Sequence, residues 1–196
     1  MRKQKIQLVV LLAAFLLFAL GFYAAKSISA REEEKERAKE AGEYTALSFD
    51  ADDLVKLEIE REEGNLELDF HEGKWSFVKD INLEMEEKDE EKKTYEVNTS
   101  AADEIRDTLA NLTSQNEIAA GEDESEYGLD KPAMTITVTL LGGAEHSVEV
   151  GSLNSMLQAY YIRVDHSDTL YTMSETDHDL LCKTDTDLAQ EVSEES

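Results

Sequence analysis

The chain has 196 residues, 41% of them hydrophobic and 33% charged, which suits one moderate domain or two small ones beyond any anchor. Its net charge is −26, and beyond residue 30 it holds 15 basic against 45 acidic residues. Such a surface repels nucleic-acid phosphates and anionic lipid headgroups, which excludes nucleic acid as a partner and leaves solubility, cation attraction or a basic partner.

Residues 6–25, "IQLVVLLAAFLLFALGFYAA", carry no charge. At about 1.5 Å per residue a helix of this length matches a hydrocarbon core of about 30 Å. Arg2, Lys3 and Lys5 precede the run. Basic residues stay on the cytoplasmic side, so the expectation is a cytoplasmic tail at 1–5, a single-pass cell-membrane anchor at 6–25 in contact with the lipid bilayer, and an extracytoplasmic C-terminal domain. The rival is a cleavable signal peptide ending at Ala30 in "SISA", but signal-peptide cores are shorter, about 7–15 residues. Residues 26–48 follow as a charged juxtamembrane stalk, with "REEEKERAKEA" reading as a solvated helix without an apolar stripe.

A first sheet-plus-helix unit is expected over 49–120. "LVKLEIE" alternates with Val55, Leu57 and Ile59 on one face, "LELDF" with Leu66, Leu68 and Phe70, and "KWSFV" with Trp75 and Phe77. Period-two alternation between glycine-bearing turns predicts an antiparallel meander. Residues 79–93 are a charged excursion, "TYEV" is a short strand, and Asn98, Thr99 and Ser100 offer N-cap side chains. The helix they open would pack Ile105, Leu109 and Leu112 inward.

An acidic linker over 121–131 leads to a second unit over 132–190, ahead of a disordered tail at 191–196. "MTITVTL" places Met134, Ile136, Val138 and Leu140 inward, "SVEV" pairs back across "LGGAEH", and "YYIRV" and "TLYTM" form a hairpin around "DHSD". Ser174 and Asp177 then open a short helix with a capping-box pattern. Both halves thus read strand, strand, strand, short strand, helix. The predicted fold class is α+β: a transmembrane helix and helical stalk, then two similar antiparallel sheet-plus-helix units related as a weak internal repeat.

No nucleophile elbow, P-loop or dinucleotide fingerprint occurs, so no catalytic residue, cofactor site or enzymatic activity is assigned. Cys182, the single cysteine, excludes an internal disulfide framework and any site built from several thiolates. His178 lies four residues before it on a short helix, which makes a weak case for a thiol nucleophile and a stronger one for a packed thiol. His71, His146, His166 and His178 form no metal-binding pair, and no metal site is assigned. Asp165, His166 and Asp168 in "DHSD", and Asp177 to Asp179 in "TDHD", read as turn and helix-cap residues. "TDTD" over 184–187 lacks the glycine and glutamate of a calcium loop. Tyr161 and Arg163, with Tyr171 on the facing strand, are a candidate aromatic-basic patch for a peptide, glycan or protein, with cross-strand packing as the simpler account. Asn98 and Asn111 each begin a glycosylation triplet; the first is better explained as a cap.

The most specific stretch is "EYGLDKPAMTITV", residues 126–138. Tyr127, Gly128, Leu129, Asp130, Lys131 and Pro132, followed by an alternating strand, resemble the bacterial family called domain of unknown function 4340. "GKWSF", with Trp75, "YEVNTSAADEIRDTLANLTSQNEIA" and "YYIRVDHSDTLYTMS" resemble further parts of it, so the resemblance covers about residues 54–188, with the charged excursion as a departure. The family has no established catalytic residues. Its members are often encoded beside ABC-type export components, so the resemblance implies a non-enzymatic accessory subunit that meets membrane transporter components outside the cytoplasm. The alternatives are an envelope enzyme or small-ligand binder using Asp165, His166 and Asp168 or the Tyr161–Arg163 patch, and a surface spacer without a ligand. Pro132 biases Lys131 toward an extended backbone, so the stretch itself reads as a joint between the two halves.

Overall fold

The computed structural model describes residues 43–62, 64–81, 93–121 and 123–192. The expected anchor over 6–25, the helical part of the stalk and most of the charged excursion fall outside those residues. Among the described residues, no helix is long and apolar enough to cross a membrane.

The chain runs β1 (Tyr44–Ser48), β2 (Leu54–Arg61), β3 (Leu66–His71), β4 (Lys74–Phe77), β5 (Thr94–Val97), α1 (Thr99–Ala110), β6 (Asn111–Ser114), β7 (Glu117–Ala119), β8 (Met134–Leu140), β9 (Glu145–Asn154), β10 (Ala159–Val164), β11 (Thr169–Ser174), α2 (Glu175–Leu181), α3 (Asp185–Leu188) and β12 (Ala189–Val192). Eight strands form one antiparallel sheet in the order β4-β3-β2-β8-β9-β10-β11-β7. Two ribbons, β1-β6 and β12-β5, complete the strands.

This arrangement corrects the α+β expectation of two separate units. The described residues are mostly β, and the two halves share one sheet through β2 and β8, which pair from Leu54–Leu140 to Arg61–Met134. The physical reason is the strand edge. Each half alone would leave one alternating strand with unpaired N–H and C=O groups, and pairing β2 with β8 removes both edges at once. It also aligns the apolar faces. Leu66, Ile59, Ile136, Val148 and Val164 are directly opposite one another across five strands and all five are buried. At about 1.5–3 kcal/mol for each buried aliphatic side chain, one such row stabilises the union substantially. β5 leaves the sheet of its own half and pairs instead with β12 from the chain's end.

Helix α1 covers the core with Ala102, Ile105 and Leu109. Its N-cap is Asn98, whose side chain accepts from the Ala101 N–H. The helix stops at Ala110, so Leu112 is buried from strand β6 and not from a third helical turn. Helix α2 begins as its sequence predicts, with the Ser174 hydroxyl accepting from the Asp177 N–H. The Thr184 N–H donates to the Asp187 carboxylate and the Asp187 N–H donates to the Thr184 hydroxyl at the start of α3, so "TDTD" is a capping box.

Candidate interaction site

The segment before β8 is folded tightly onto β9 and β10. Asp123 starts it, accepting from both the hydroxyl and the N–H of Ser125, and these two bonds, the hydroxyl first, hold its carboxyl below the usual range. A 3-10 turn over Glu124–Glu126 follows. The Gly128 N–H donates to the Ser125 carbonyl and the Leu129 N–H to the Glu124 carbonyl, which closes the turn and carries Leu129 to a buried position. Asp130 and Lys131 are exposed, and Pro132 stands half-buried two residues ahead of β8.

The turn meets the sheet through backbone. The Ser152 N–H donates to the Tyr127 carbonyl at 2.8 Å, just past Val150, where the pairing of β9 with β8 ends. Two glycines make that approach feasible. Gly128 has φ near +70°, and a Cβ there would stand 2.8 Å from the Ser152 nitrogen. A Cβ on Gly151 would run into the Tyr127 carbonyl. Both places favour glycine for steric reasons.

Side chains reinforce the junction. The Tyr127 ring meets Tyr161 edge-on, with centroids 5.0 Å apart, and the Tyr161 hydroxyl accepts from Asn154 Nδ2 at 2.6 Å. Arg163 donates through Nε to Glu149 on β9 and through Nη1 to Glu124 in the turn, both at 2.6 Å. Those two carboxylates, Glu149 first, raise the guanidinium pKa above its already high value, so Arg163 is a permanent cation here. His166 Nδ1 lies 3.6 Å from the same Glu149 oxygen. The motif residues and the Tyr161–Arg163 pair, separate in the sequence, therefore form one junction.

Tyr171 does not join it. It is directly opposite Ile162, while Tyr161 is opposite Thr172, so Tyr171 lies on the other face of the sheet and packs on the core. Burial, with Glu117 nearby, raises its phenol pKa. Trp75 stands in β4, at the far end of the sheet from β11 and β7, where its Nε1 donates to Asp103 and its ring tilts against Phe70.

His166 apart, the other candidates have separate partners. Asp165 receives the Ser147 N–H and contacts His146 Nδ1, each at 2.8 Å. His166 is exposed, and the Asp168 carbonyl receives the Ala120 N–H. His178 stacks on Tyr160, centroids 3.7 Å apart, and its ring nitrogens are 3.7 Å from Cys182 Sγ. Among the described residues no group of three His, Cys, Asp or Glu side chains is placed to hold a metal ion. Among the described residues, two open clefts lie elsewhere: one of about 790 Å³ beside α1, lined by Asp103, Glu104, Asp107 and Asp177, and one of about 560 Å³ between β4 and β5, lined by Trp75, Phe77 and Tyr95.

The family model described as Domain of unknown function (DUF4340) matches residues 88–191, more than half of the chain. The chain belongs to the DUF4340 family. Comparison with curated proteins and with solved structures gives no match. The DUF4340 span begins ahead of β5 and contains the whole junction at Tyr127–Pro132, Tyr161 and Arg163, while Trp75 and β1–β4 precede it. In this DUF4340 chain the most specific sequence signal is thus a structural clamp on β9 and β10. Sequence reasoning missed Ser152, Gly151, Glu149 and Glu124 as its other half; the pairing of glycines at 128 and 151 was the available signal, but nothing local connects positions 23 residues apart.

Proposed function

We propose that this protein is a non-enzymatic, membrane-anchored interaction module held outside the cytoplasm, an accessory to a transport complex of the ABC export type. The observation that carries the reading is the internal engagement of its polar side chains. Arg163, Tyr161 and Asp165, the residues best suited to bind or process a small ligand, are each bonded to neighbours within the fold. They stiffen a scaffold. The uncharged run over 6–25 supports the anchor, and the acidic remainder supports solubility beyond it. The test is crosslinking of the full chain in its native membranes followed by purification. Co-purification of stoichiometric transporter subunits is the expected result, and recovery of the monomer alone after crosslinking would contradict it.

A further inference from the structure

We propose that the tip of the β9–β10 hairpin enters the outer edge of a zwitterionic lipid bilayer. This rests on the anchored reading above and adds a second, weaker membrane contact to it. The tip presents Leu153, Met156 and Leu157 at 41%, 94% and 44% exposure. They lie in a run over residues 150–162, "VGSLNSMLQAYYI", that contains no Asp, Glu, Lys or Arg in a chain one-third charged.

Three features select lipid over a protein pocket. First, the absence of charge is a requirement of hydrocarbon insertion, where an ionised side chain is strongly disfavoured, whereas protein interfaces are enriched in arginine. Second, backbone donors entering lipid must already be bonded. The Asn154 side chain accepts from the Met156 and Leu157 N–H groups at 3.0 and 3.1 Å, so the donors of the two apolar residues at the apex are satisfied from within the loop. Third, three side chains on a convex tip fall short of the roughly 800 Å² per partner of a standard protein interface. A tethered domain does not need that area. An anchor through residues 6–25, as proposed above, supplies the tether and an effective concentration of about millimolar. The junction of Tyr127 with Ser152 and Tyr161 then has a purpose, because it braces the hairpin that carries the tip.

The acidic body sets the lipid preference. Its charge opposes approach to anionic headgroups, so the contact favours zwitterionic membranes and weakens as phosphatidylglycerol is added, with salt restoring it. The experiment is tryptophan quenching by acyl-chain bromine in phosphatidylcholine vesicles carrying the full chain. Met156→Trp places the probe at the tip, and Leu141→Trp, at a site 71% exposed on the β8–β9 turn, is the control. Trp75 is buried and supplies a constant background. The expected result is at least twofold quenching of the Met156→Trp indole, with the Leu141→Trp protein no more quenched than the parent. Vesicles that retain the protein without quenching at the tip would overturn the proposal while leaving the anchor intact. Failure to float with vesicles would overturn the anchor and the tip together. A tip indole that is blue-shifted yet unquenched in the brominated vesicles would assign the tip to a protein contact and also overturn it.

Discussion

Gly128 and Gly151 carry the closest approach in the junction, and their cost when changed follows from sterics alone. Gly128→Ala adds a Cβ in the left-handed region and 2.8 Å from the Ser152 nitrogen, and Gly151→Ala drives one against the Tyr127 carbonyl. Each should cost about 1–3 kcal/mol, the range for a held backbone strain, read as a lower midpoint in urea unfolding. Alanine at either place with an unchanged midpoint would show that the turn does not sit on β9. Asp187 makes a second prediction at this scale. The N–H and then the hydroxyl of Thr184 hold its carboxyl below the ordinary value of 3.8. A depressed carboxylate contributes stability that is full above the unfolded pKa and disappears as pH falls through the lower, folded value. Asp187→Asn should therefore destabilise slightly at pH 7, by less than about 1 kcal/mol at so exposed a cap, and the difference from the parent should shrink as pH falls below 3.8 and disappear past the lower, folded value. A difference that persists in acid would assign the effect to packing.

At the scale of elements, Arg163 ties β10 to β9 and to the turn over Glu124–Glu126. Arg163→Gln should cost about 1–3 kcal/mol, most of it from leaving the largely buried Glu149 without its cation. Amide exchange in the turn should quicken more than exchange in β9, and equal change in both would argue against the tie. Individual strands were legible in the sequence because alternation is a local property: β2, β3, β4, β8, β10 and β11 follow it. β7 and β12 were not legible, since three or four residues with mostly exposed side chains leave no period to read. Leu112 fits the helical spacing of Ile105 and Leu109, yet the chain turns extended at Asn111, and burial from β6 satisfies the same hydrophobic demand. The site was half legible. Tyr161 and Arg163 share a face with the junction, but placing Tyr171 required the register across the "DHSD" turn, where a slip of one residue exchanges the faces.

At the scale of the molecule, the union of β2 with β8 was beyond local pattern. Ile59 and Ile136 lie 77 positions apart and carry the same alternation as strands that never meet. What decides the pairing is the combined removal of two edges and the burial of one continuous apolar face under α1. The family turn acts at this scale too, since it follows the first half and delivers the chain into β8. The halves should consequently unfold as one. Urea unfolding of the full chain in detergent, followed by Trp75 fluorescence for the β4 end and by amide exchange for β9–β11, tests this directly. Coincident transitions are predicted, and protection that survives in β9–β11 after the Trp75 signal is lost would contradict a single sheet.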